Sequence, residues 1–233
     1  MKLLLTSNGL SNDSIAKAFQ ELVGKKPKDT KVAFIPTASN PERGSKEWLI
    51  DDLYRIKERG HIVDIVELTA LKSKEIAKIL HGSDAIFVGG GNNFYLSYWM
   101  QKTGVFDILP QLLKTKVYAG ISAGSIIAGA NMKISSETLS VIEELKDDDY
   151  DEIGPPGESS AKTLKLVDFV FRPHLNSEFF PMASEENLTK KAKYFSVPIY
   201  ALDDDSAIKI VDSRVEVVSE GKWILFKPGG GNT

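Results

Sequence analysis

The 233-residue chain contains no cysteine and only three histidines. The first absence excludes disulfides, thiolate metal sites and a cysteine nucleophile, and it fits a reducing compartment. Acidic and basic residues nearly balance, 32 against 29 for a formal charge of −3, so the chain has no basic footprint for nucleic acid or an acidic membrane surface. No stretch approaches the roughly 18 apolar residues of a membrane span, and the apolar run within Met1–Ser7 is too short for a signal sequence. The expectation is a cytoplasmic protein with a small-molecule or peptide substrate and with neither a nucleic-acid nor a membrane partner. What is present, 42% hydrophobic and 26% charged residues, is the composition of an ordinary globular chain able to bury one large core.

Short apolar runs alternate with amphipathic ones through the first half, the pattern of a parallel sheet covered by helices. Lys2–Thr6, Lys31–Pro36, Ile62–Leu68, Asp84–Gly89 and Lys116–Ile121 read as strands. Asp13–Val23, Ser45–Arg59, Ser73–His81 and Asn93–Gln101 read as helices, the first capped by Asn12 and the second by Gly44 or Ser45. The second half continues with a strand over Leu164–Arg172 and a helix over Ser184–Phe195. Short strands at Ile199–Leu202, Ala207–Val211, Val215–Ser219 and Lys222–Phe226 follow, antiparallel in style. Between the halves, the acidic, Gly/Pro-rich segment Glu143–Ser160 is expected to move. Gly229–Thr233 reads as a frayed tail. Neither a repeat nor a linker is evident, so residues 1–233 are read as a single α/β domain.

In such sheets ligands gather at the carboxyl ends of the strands. Four polar or glycine-rich segments fall there: Thr6–Gly9, Pro36–Asn40, Gly89–Asn92 and Gly120–Gly124. The last reads Gly120-Ile121-Ser122-Ala123-Gly124, a G-x-S-x-G corner between strand and helix that holds a serine clear of the sheet as a nucleophile. An ordinary serine on a glycine-bracketed turn is the bland alternative. A serine nucleophile needs a base. His61, at the amino end of a strand, and His81, at a helix end, read as structural. His174 follows Pro173 at the carboxyl end of a strand and is the candidate base.

An acid to orient it is available among Asp203, Asp204 and Asp205, which could instead hold a metal, although the alternating ligand spacing of a hard-cation site is missing. Asp147–Asp149 reads as a solvated run. The oxyanion donors expected are the N–H of Ala123 and those of Gly90 and Gly91. The glycine run could also cradle a phosphate, but it lacks a P-loop lysine and dinucleotide spacing.

These residues together resemble the peptidase E and cyanophycinase family of serine peptidases. The resemblance rests on Leu3–Asn8, Ile35–Ala38, Val88–Phe94, Gly120–Ser125, Pro173-His174 and Ala201–Ala207, which run in the family's order along nearly the whole chain. It implies a class I glutamine amidotransferase-like (flavodoxin-like) α/β fold, a mostly parallel sheet flanked by helices with a nucleophile elbow, and no cofactor or metal. It implies Ser122 as nucleophile, His174 as base and Asp204 as the third residue, where peptidase E carries glutamate. Asp203, Asp205 and Glu137 are the alternative acids. The substrates implied are dipeptides or other small peptides, and the chain is expected to be a monomer or homodimer.

Peptidase E itself uses an arginine beyond the Pro-His step to bind an amino-terminal aspartate, and Leu175–Lys191 holds none. Strict Asp-X specificity is therefore not expected. Arg172, with Lys190 or Lys191 as poorer substitutes, and Asn92 are the candidate substrate-binding residues. A ligand-binding or regulatory homologue with little hydrolysis is the alternative function. A glutaminase of the amidotransferase class is excluded by the missing cysteine.

Overall fold

A computed structural model of the chain describes residues 1–135 and 162–228. Five parallel strands form the body of the large sheet: β1 (Lys2–Thr6), β2 (Lys31–Ile35), β3 (Ile62–Ile65), β4 (Ala85–Val88) and β5 (Val117–Ile121). With β8 (Ser206–Val211) and β9 (Arg214–Ser219) they make a seven-stranded sheet ordered β3-β2-β4-β5-β1-β8-β9, the last two antiparallel. A second, three-stranded sheet is ordered β10-β7-β6 and uses Val170–Arg172 (β6), Ile199–Leu202 (β7) and Trp223–Phe226 (β10).

Side chains that alternate along the central strands divide between two cores, as a period of two requires. Leu4, Phe34, Phe87 and Ala119 pack with Ile15, Phe19 and Leu22 of α1 (Asp13–Val23) and Ile56 of α2 (Glu47–Glu58). On the other face, Leu5, Ile35, Val88 and Tyr118 meet four helices: α3 (Ser73–Gly82), α4 (Asn93–Lys102), α5 (Val105–Leu112) and α6 (Ala123–Ala128). A third cluster joins Val170, Ile199, Ala201 and Phe226 of the small sheet to Leu188 and Ala192 of α7 (Glu185–Ala192).

The first half follows the sequence pattern closely, and Asn12 caps α1 by accepting from Ile15 N–H at 2.9 Å. The cap of α2 falls instead on Lys46, with no side-chain hydrogen bond. Helix α5 has no counterpart in the expected elements. Pro110 lies inside it and deprives the helix of one N–H, yet Val105, Leu109 and Leu112 are buried. The strand expected over Leu164–Arg172 forms only at Val170–Arg172. Upstream, Leu164 and Leu166 donate to the carbonyls of Ile127 and Ala128 at 2.7 and 2.9 Å. Their backbone groups thus serve the end of α6 rather than a ladder. The segment expected to move, Glu143–Ser160, and the tail Gly229–Thr233 lie outside the described residues.

Candidate active site

Strand order and register bring three chain corners together. β5 lies between β4 and β1, with Val88 level with Gly120 and Thr6 level with Ile121. The three strands therefore end side by side, and the Gly89–Gly91 loop, Ser122 and the Ser7–Asn12 turn emerge at one rim.

Ser122 has φ 47° and ψ −107°, a conformation outside the regions open to ordinary side chains. The surrounding structure over-determines it. Ser125 Oγ donates to Thr6 O at 2.8 Å and accepts from Thr6 N–H at 2.9 Å, which pins the first turn of α6 to β1. The buried Tyr118 hydroxyl donates to Gly124 O at 2.6 Å, and burial raises its pKa, keeping it a donor. Gly124 lets helix and sheet meet, since a β-carbon there would lie 2.1 Å from Val88 O. Gly91, at φ 119°, runs against Ala38, whose carbonyl oxygen a β-carbon would approach to 2.3 Å.

His174 and Asp204 come from the other sheet. β6 and β7 pair in parallel with Arg172 opposite Ala201, so the loops after both strands leave the same end. His174 Nε2 lies 3.0 Å from Ser122 Oγ, and Nδ1 lies 2.6 Å from Asp204 Oδ1. A carboxylate only accepts, so Nδ1 carries the proton and Nε2 is left to accept from the serine hydroxyl. The Phe180 ring stacks on the imidazole, centroids 4.3 Å apart and planes 11° from parallel.

The turn after β1 ties the two sheets together. Ser7 Oγ donates to Leu202 O at 2.9 Å and accepts from His174 N–H at 3.4 Å. Ser11 Oγ donates to Asp204 O at 2.7 Å, and Asn12 Nδ2 to Asp205 O at 3.0 Å.

The three aspartates thus have separate tasks. Only Asp204 meets the histidine. Asp203 Oδ1 accepts from Ser206 Oγ at 2.6 Å and from Asp205 N–H at 3.2 Å, and its Oδ2 accepts from Lys222 N–H. It builds the turn that presents its neighbour. Asp205 is exposed, and Glu137 lies outside the described residues. The described residues contain no cluster of acidic and histidine side chains able to hold a metal.

Asn92 Oδ1 accepts from Tyr95 N–H at 2.9 Å and is the N-cap of α4. Helix starts draw Asn because its side chain replaces the missing intrahelical acceptor. Arg172 is 1% exposed on β6. Lys191 is likewise buried at 0%, and Lys190 pairs with Glu186 at 2.9 Å. Of the histidines read as structural, His61 is 2% exposed and packs edge-on against Phe19; its burial lowers the pKa.

Trp48 and Asp52 of α2 had no distinguishing sequence pattern beyond helical periodicity. A β-carbon on Gly90 would stand 3.3 Å from Ser122 Cβ and 3.8 Å from Trp48 Cζ3, so both side chains flank the same small space. Asp52 is 3% exposed beneath the Gly9 turn, 3.9 Å from Arg55 Nη1, with no hydrogen bond to its Oδ1. Desolvation raises its pKa to about 7, with Asp51 and Asp204 adding to the rise and Arg55 opposing it.

A serine hydroxyl, an imidazole and a carboxylate in line on a strained corner suit nucleophilic attack with proton transfer. The family model described as Peptidase family S51 matches residues 3–218. The chain belongs to that family. It is 27% identical over 240 residues to peptidase E of Streptomyces coelicolor, covering 98% of this chain and 88% of the relative. With an uncharacterized peptidase of Pasteurella multocida it shares 26% over 190 residues, covering 80% and 84%.

The crystal structure named "Putative Peptidase E Protein" from Listeria monocytogenes superposes with TM-score 0.74 at 25% identity, covering 94% of this chain and 98% of that one. A peptidase from an acI-B1 actinobacterium shares the fold at TM-score 0.68 and 16% identity, covering 100% and 93%. The fold of this S51 member is thus the class I glutamine amidotransferase-like α/β arrangement expected from the sequence. Membership implies a serine peptidase acting on peptides. No helix among the described residues is long and apolar enough to cross a membrane.

Proposed function

We propose that this S51 protein is a serine peptidase that hydrolyses dipeptides or other small peptides through an acyl-enzyme on Ser122. The supporting observation is the continuous contact Ser122 Oγ to His174 Nε2 at 3.0 Å and His174 Nδ1 to Asp204 at 2.6 Å, on a serine held at positive φ. Ser122 Oγ attacks the scissile carbonyl as His174 takes its proton. The imidazolium, stabilised by Asp204, returns that proton to the leaving amine. Ala123 N–H and an N–H of Gly90 or Gly91 receive the oxyanion. Water, deprotonated by His174, then attacks the acyl carbonyl and releases Ser122.

A fluorophosphonate and a dipeptide panel test this reading. The wild type is expected to label on Ser122 and to cleave at least one dipeptide, and Ser122→Ala to abolish labelling and lower turnover by at least about 10³-fold. Equal turnover by the variant would end the proposal.

A further inference from the structure

Aromatic side chains stand beside both members of the Ser122–His174 pair. Trp48 Cζ3 and Ser122 Cβ both lie within 4 Å of the point where a Gly90 β-carbon would stand, and glycine leaves that point open. The Phe180 ring covers one face of the His174 imidazole. Its neighbour Phe179 is 88% exposed at the end of a turn whose Ser177 Oγ accepts from Phe179 N–H at 3.3 Å.

Charge at the rim does not favour an acidic side chain. Asp204 stands in the site with its side chain 44% exposed, and Asp52 lies beneath it. Arg55 is committed to Asn8, donating to its O and Oδ1 at 2.9 and 3.1 Å. Arg172 and Lys191 are buried. Arg43, ahead of Trp48 in the chain, is an exposed cation.

We propose that the site selects peptides with an apolar or aromatic side chain on the residue that supplies the scissile carbonyl, held between Trp48 and the Phe179-Phe180 pair. The inference rests on the peptidase reading for its chemistry. Its recognition part can be tested without turnover. Removing an apolar side chain from water against aromatic faces stabilises the complex in proportion to the area covered. A carboxylate in the same space loses hydration and meets Asp204.

The experiment measures kcat/KM for Phe-Ala, Leu-Ala, Ala-Ala and Asp-Ala on the wild type, Trp48→Ala, Phe179→Ala and Arg43→Ala. Calorimetry measures binding of the same four dipeptides to Ser122→Ala. The expected result is a roughly 10- to 100-fold preference for Phe-Ala over Asp-Ala. Trp48→Ala should cut the Phe-Ala to Ala-Ala ratio by roughly 10-fold, chiefly through KM. Phe179→Ala, at an exposed position, serves as the variant least able to disturb folding and should reduce the same ratio. A preference for Asp-Ala that is lost in Arg43→Ala overturns the inference while leaving the peptidase reading intact. Equal binding of all four dipeptides overturns it as well. Selective binding of Phe-Ala to Ser122→Ala with no Ser122-dependent hydrolysis by the wild type supports the inference and refutes the peptidase reading.

Discussion

In the large sheet, the strands that deliver Ser122 and its flanking loops each have a neighbour on both sides, and buried side chains pack on both faces. In the small sheet, β6 has three residues and pairs with β7 alone among the described residues, yet its end carries His174. Ser122 is therefore fixed by dense local packing. His174 and Asp204 are placed by the register of two short strands and by hydroxyls reaching across from the Ser7–Asn12 turn. The comparison teaches that the two halves fail differently: damage to the large sheet removes the fold, whereas damage to the small one should leave a folded protein with a misaligned histidine.

Asp204→Asn tests this division with the largest effect. The amide can keep the loop but favours the wrong imidazole tautomer, so kcat is expected to fall roughly 10³- to 10⁴-fold while the melting temperature barely moves. A variant that unfolds instead would make the small sheet as stability-critical as the large one.

Asp52 gives the next effect, on stability. Its raised pKa means that the native state still holds a proton between about pH 4 and pH 7 that the unfolded chain has given up. Wild-type stability contributed by this group therefore falls as pH rises through that window, by up to about 4 kcal/mol. Asp52→Asn should remove the slope and be more stable than the wild type at pH 8, as urea denaturation at pH 4.5, 6 and 8 would show. Parallel slopes in the two proteins would mean that the carboxyl is already ionised in the native state.

Asp203→Ala should cost about 1–3 kcal/mol, because Ser206 and two backbone N–H groups lose their acceptor. Activity should fall less than in Asp204→Asn, since only the presentation of Asp204 is loosened; the reverse ranking in kcat would reassign the acid. The smallest effect concerns His61. Its lowered pKa means that its stabilisation is present above pH 6.5 and is lost as acid protonates the unfolded chain first. An NMR titration should place the His61 midpoint below 6.5, and a midpoint above that value would contradict its buried, neutral state.

Much of the large sheet was legible because its rules are local. Alternating burial marks the strands, Asn12 opens a helix, and G-x-S-x-G requires residues only a few positions apart. The histidine was legible for a similar reason, as Pro173-His174 ends an apolar run. Trp48 and Phe180 were not singled out, because an aromatic residue on a helix or loop has the same appearance whether it faces a core or a site. Asn92 was read toward substrate and its place as the α4 N-cap was not, because capping and binding draw on the same amide. Helix α5 was not read from the sequence; its tertiary burial outweighs the hydrogen bond missing at Pro110.

The sequence by itself determined that a serine would stand on a strand-to-helix corner, with a histidine and a run of three aspartates at other strand ends. The tertiary structure decided which aspartate stands against the histidine. Asp203 turns back to Ser206 and Lys222, Asp205 faces solvent, and the β6–β7 register carries Asp204 to 2.6 Å from His174. Neighbouring carboxylates are chemically alike in sequence, and only strand pairing and the hydrogen bonds of a turn give them different directions.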